Sequence, residues 1–183
     1  MEIRSIEGLK NESRKIVGAI PFNSPSELLS EGGKRFREVI KPNAMHFSEV
    51  RALLNHQSYP VLGRLSKGTL KLEQTDSSMN VSLDTPRTTA GNDLIESVDR
   101  GDIAGLSFAF RVNDGGESWS RQDGQALRTL TDITISEVSF VGSPAYPDTT
   151  VALRSLDVFE KSENKKEIDM EILKKKQRQA ECS

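Results

Sequence analysis

From residue 1 to about 155, short apolar runs alternate with turn-forming residues. That rhythm commits the chain to many short strands. "GTLKLEQ" and "NVSLDT" show it best: Leu70 with Leu72, and Val81 with Leu83, recur at a spacing of two, and "TDSS" supplies a hairpin turn between them. "RKIVGAIPF" and "RFREVI" read as strands separated by the polar loop "NSPSELLSEGGK". "VRALLNH" continues the pattern. "AGLSFAFRV" and "ALRTLTDITISEVSFV" read as two longer strands joined by the polar stretch "NDGGESWSRQDGQ", a candidate flap, and "TTVALRS" reads as a last strand.

One segment departs from period two. Leu94, Ile95 and Val98 form a helical stripe that Thr88 or Thr89 would cap and Gly101 would end. Residues 156–183 lack glycine and proline and are rich in Lys, Glu and Arg, with Ile168, Ile172 and Leu173 as a thin apolar stripe. They read as a charged tail, helical or disordered, in which "LKKKQRQ" is a solvated end or a docking tag. The expected organisation is one domain over residues 1–155 followed by this tail.

Composition narrows the function classes. A net charge of -2 and only 5% aromatic residues argue against a nucleic-acid partner. No apolar run approaches the roughly 20 residues that span a bilayer, so no membrane association is expected. "MEIRSIEGLK" lacks the apolar core of a secretory signal, which predicts that the protein is not exported. Cys182 has no partner cysteine, as in a reducing cytoplasm, and two histidines with one cysteine do not suggest a zinc site.

Three polar residues stand in apolar rows. Counting by twos, His56 shares a strand face with Val50, Ala52 and Leu54, where partial desolvation favours the neutral imidazole. Ser107 sits between Gly105 and Ala109, small neighbours that leave room for a substrate backbone, while Leu106, Phe108 and Phe110 face the core. Glu137 shares a row with Ile133, Ile135 and Val141 and must find a partner. Each has an ordinary alternative: a satisfied core histidine, a structural serine, and a carboxylate paired with Arg111 or Arg128. Together they are the three types a serine hydrolase needs, a hydroxyl nucleophile, a base and a group that orients the base. Periodicity alone leaves both possibilities open.

"FREVIKPNAM", "LLNHQSYPVLGR", "GDIAGLSFAFRV" and "EVSFVGSPAYPDTTVALRS" resemble, in order and spacing, the prohead proteases of tailed bacteriophages, over residues 14–155. The resemblance implies an α+β, mainly β fold, a closed or partly open barrel flanked by a few helices, similar to the herpesvirus assemblins. It also implies a serine endopeptidase with His56 as base, Ser107 as nucleophile and Glu137 as third member. His46, Asp132 and Asp148 are rivals for the third role; His46 precedes the base in sequence, and Asp148 lies in a proline-containing turn. "GLSFA" lacks the second glycine of a nucleophile elbow, which argues against an α/β-hydrolase. "GSPAYP" reads as a rigid turn, and acyl chemistry would need an oxyanion hole, for which a backbone amide near Arg128 or in the "VGSPA" turn is a candidate.

The same resemblance implies no metal or organic cofactor. Its substrates would be the scaffolding protein or the scaffold-like segment of the major capsid protein. Cleavage would occur inside the assembling prohead in the host cytoplasm, with self-cleavage after residue 155. The assemblin likeness suggests a homodimer. The competing expectation is a catalytically silent assembly protein that keeps the protease fold.

Overall fold

The computed structural model describes residues 1–31, 33–142 and 150–181. The chain begins with β1 (Glu2–Glu7), β2 (Lys10–Glu12), β3 (Lys15–Pro21), β4 (Leu29–Glu31) and β5 (Lys34–Ile40). Next come β6 (Met45–His46), β7 (Arg51–Leu54), β8 (Gly63–Arg64), a short 3-10 turn, β9 (Leu70–Gln74) and β10 (Ser78–Asp84). Helix α1 (Thr89–Arg100) leads to β11 (Gly105–Val112), β12 (Glu117–Gln122), β13 (Gln125–Leu130) and β14 (Ile133–Val141), and α2 (Thr150–Glu181) follows.

The strands form three sheets. The first runs β1-β11-β14-β7-β8, with β6 also paired to β14; the others run β2-β3-β10-β9 and β12-β13-β5-β4. Among the described residues no closed barrel forms, because β1 and β8, the edges of the first sheet, do not pair with each other. Of the expected closed or partly open barrel, the closed form is therefore corrected, while the mainly β class with two helices stands. Apolar side chains from the first two sheets and α1, including Leu70, Leu83, Leu94, Phe108 and Phe140, meet in one core.

The hairpin at "TDSS" and the helix at Thr89–Arg100 form as expected. Thr88 accepts a hydrogen bond from the Gly91 amide, and Gly101 closes the helix at φ 81 in the left-handed region. Four local expectations are corrected. "NDGGESWSRQDGQ" is not a flap, because Asp123 (φ 50) and Gly124 (φ 78) make a two-residue turn that folds β12 onto β13. "NSPSELLSEGGK" contains β4, which buries Leu29. "ALRTLTDITISEVSFV" is two strands in different sheets, broken where the amides of Thr131 and Asp132 both donate to the Gly116 carbonyl. The described part of "TTVALRS", from Thr150, opens a helix.

The first strand escaped a hydropathy reading because its core side is charged. Glu2 and Arg4 are buried, as are Glu38 and Arg128. Arg4 holds Glu38 at 2.8 and 2.9 Å and Glu2 at 3.3 Å. Arg128 holds Glu2 through two contacts, one of 2.8 Å, and meets Glu38 at 3.0 Å and Glu117 at 2.5 Å. The cluster joins β1 of the first sheet to β5, β12 and β13 of the third. Burial pushes the Arg128 guanidinium down, but the hydrogen bond to Glu2 and the charges of Glu38, Glu2 and Glu117 outweigh it, so its pKa is raised overall.

The chain divides into two compact units, Met1–Thr149 and Thr150–Ser183. The described part of the second is helix α2, with Val158, Ile168, Met170, Ile172 and Leu173 exposed. Among the described residues no helix is long and apolar enough to cross a membrane.

Candidate active site

Ser107 lies on β11, between β1 and β14, and its cross-strand partners are Ser5 and Ser139. Three small side chains in a row keep this part of the sheet free of bulk. Alternation then turns Leu106 and Phe108 to the core and leaves Ser107 on the opposite side.

Glu137 reaches the same side through a β-bulge. The register passes from Ala109↔Glu137 to Phe110↔Ile135, which leaves Ser136 as an extra residue on β14. Before the bulge Ile133 and Ile135 face the core; after it Val138 and Phe140 do. The row Ile133, Ile135, Glu137, Val141 expected from a regular strand is therefore corrected. The extra residue flips the alternation and takes the carboxylate off the apolar face.

His56 is likewise not the strand residue that counting from Val50 suggests. Strand β7 ends at Leu54, and Asn55 (φ 47) and His56 (φ 58) both adopt the left-handed conformation. For a residue with a Cβ this costs roughly 1–2 kcal/mol. Hydrogen bonds offset that cost. The Asn55 amide donates to the Phe140 carbonyl at 3.0 Å and the Gln57 amide to the Leu54 carbonyl at 2.9 Å. The His56 amide donates to Ser139 Oγ at 3.1 Å.

The turn places the imidazole between the other two groups. His56 Nε2 lies 2.8 Å from Ser107 Oγ, and His56 Nδ1 lies 2.6 Å from Glu137 Oε1. A carboxylate only accepts, so Nδ1 carries a proton, and in the neutral ring Nε2 presents its lone pair to the hydroxyl. The Ser107 hydroxyl has a second acceptor, the Arg4 carbonyl of β1, at 3.0 Å. One proton thus has two destinations. The Glu137 side chain is 10% exposed and that of His56 26%, whereas Ser107 is fully buried.

The remaining candidates fall elsewhere. His46 and Asp132 pair with each other at 3.5 Å and are both substantially exposed. Asp132 also accepts from Asn113. Arg128 belongs to the ion cluster with Glu2, Glu38 and Glu117, not to Glu137. Asp148, "SPAYP" and the rest of "GSPAYP" beyond Gly142 lie outside the described residues. Two contributors escaped the sequence reading, Ser139 and the Arg4 carbonyl. The spacing of two between Glu137 and Ser139 was a usable signal for the first; a backbone carbonyl leaves none.

Residues 1–163 match the family model described as Caudovirus prohead serine protease. No curated protein and no solved structure matches the chain.

Proposed function

The chain belongs to the Caudovirus prohead serine protease family, serine peptidases of phage capsid maturation, and we propose that it is an active endopeptidase using Ser107, His56 and Glu137. One observation carries this reading: a single imidazole bridges the Ser107 hydroxyl at 2.8 Å and the Glu137 carboxylate at 2.6 Å.

In the proposed reaction, Ser107 Oγ attacks the scissile carbonyl while His56 Nε2 takes the hydroxyl proton. The tetrahedral intermediate collapses to an ester on Ser107, and the amine leaves with the proton from Nε2. Water then attacks the ester by the same relay, releasing the acid and restoring the serine. Glu137 fixes the tautomer of the neutral ring that leaves Nε2 free to accept and stabilises the imidazolium that forms. Base assistance of this kind is worth on the order of 100- to 10,000-fold in rate. The productive state directs the Ser107 proton to Nε2 and not to the Arg4 carbonyl. It also opens a path to a hydroxyl that is buried here.

The proposed substrate is the scaffolding protein or the scaffold-like segment of the major capsid protein, cut inside the assembling prohead in the host cytoplasm. Confinement in a shell raises the effective concentration of substrate and offsets weak affinity. The lysine-rich segment after residue 155 is the proposed place of self-cleavage, and a homodimer is the proposed assembly.

The full burial of Ser107 favours one competing reading, an assembly factor that keeps the fold without hydrolysis. Co-expression of Ser107→Ala with the capsid and scaffold proteins separates the two. Uncleaved precursor accumulates if the chain is the protease. Unchanged processing would overturn the proposal.

A further inference from the structure

We propose that Ser139 is a positioning residue of the relay, a buried hydroxyl that fixes the backbone of His56 and the carboxylate of Glu137 together so that the ring between them points at Ser107. This deepens the reading of Ser107, His56 and Glu137 as catalytic groups and rests on it.

Ser139 follows Glu137 by two residues on β14, beyond the bulge, so both side chains project to the same side. It is fully buried, and a buried hydroxyl needs partners. Its Oγ accepts from the His56 amide at 3.1 Å and donates to Glu137 Oε1 at the longer distance of 3.5 Å. The direction of the second bond follows by elimination, since the amide can only donate and the carboxylate can only accept. Glu137 Oε1 is the same oxygen that receives His56 Nδ1–H at 2.6 Å. The three bonds form a closed ring through the backbone and side chain of one residue. The amide bond holds the backbone of His56, the carboxylate bond holds its ring, and Ser139 ties the two anchors to each other.

The turn needs such a tie. Two consecutive left-handed residues are unfavourable unless their surroundings over-determine them. Two of the three bonds that hold the turn run to backbone carbonyls, those of Phe140 and Leu54. The bond from His56 itself goes to a side chain and is the one a substitution can delete. Without it, the flanking bonds still close the loop, but His56 loses the link between its amide and its carboxylate. A displacement of about 1 Å in a reacting group can cost on the order of 100-fold in rate.

The test uses three variants of the full chain: Ser139→Ala, Ser139→Thr, which keeps the hydroxyl, and Ser139→Val, which keeps the shape of threonine without it. Inactivation by a fluorophosphonate probe gives the limiting rate and the half-saturating concentration separately. The low-field proton NMR signal of His56 Nδ1–H reports the ring–carboxylate bond without any turnover. We expect the limiting rate to fall roughly 10- to 100-fold in the alanine and valine variants, with half-saturation within about twofold, and to recover in the threonine variant. The low-field signal should move or broaden in the first two and persist in the third. A native rate and an unchanged signal in Ser139→Ala would overturn the proposal, and so would equal impairment of the threonine and valine variants. If the native chain does not react with the probe but the signal still depends on the hydroxyl, the catalytic reading fails while the positioning of the ring stands.

Discussion

The first sheet carries two polar clusters, one on each side. On the side of Phe108 and Phe110, Glu2 and Arg4 join Glu38, Glu117 and Arg128; on the other, Ser107 joins His56, Glu137 and Ser139. Strand β1 contributes to both, since Arg4 sends its guanidinium into the first cluster while its carbonyl faces Ser107 in the second. The difference lies in how completely each is satisfied. Each guanidinium of the ion cluster meets at least two carboxylates, and Arg128 is charged at any ordinary pH. Such a network has one state. The relay has a proton with two acceptors and an imidazole whose side chain is 26% exposed. Saturation makes a structural device; an unsettled proton makes a chemical one.

Substitutions should separate the two clusters, beginning with the largest effect. Ser107→Ala is expected to lower peptidase activity by roughly 10,000-fold or more while leaving the urea midpoint nearly unchanged. A fall in stability of the same severity as the fall in activity would erase the distinction. Glu137→Gln keeps the shape but not the charge and lets the ring settle in the wrong tautomer. Activity should drop about 1,000- to 10,000-fold, measured as the initial rate of precursor cleavage. Arg128→Met is the mirror experiment. It leaves buried carboxylates facing one another, so urea unfolding should show a loss of about 3–5 kcal/mol. The relay should survive in the chains that remain folded at low denaturant. Gly124→Ala strains the turn that carries β12, and with it Glu117, and should cost roughly 1 kcal/mol in the same assay.

How much of this was legible in the sequence depended on what each signal measured. Blocks of motif in a fixed order singled out His56 and Ser107 and left Glu137 among several candidates for the third position, without any knowledge of geometry; the structure brings the three side chains together. The geometric reasons offered for two of them did not hold. Alternation assumes a regular strand, whereas His56 sits in a left-handed turn and Glu137 lies just past a bulge, two local departures that period two does not register. Strand β1 was hidden because burial of Glu2 and Arg4 is made tolerable by partners distant in sequence. Strand β12 was hidden because its exposed serines and charges look like a loop, although Asp123-Gly124 was a hairpin signal in plain view. "TTVALRS" shows the reverse failure: a short β-branched and apolar run is too brief to distinguish strand from helix.

The most direct test of the central claim is the mass of the intact protein after exposure to a fluorophosphonate, followed by peptide mapping of the adduct. A relay that activates Ser107 predicts a single adduct on that residue, absent from Ser107→Ala and slowed at least about 100-fold in His56→Ala. An adduct on another residue, or equal rates with and without the imidazole, would contradict it.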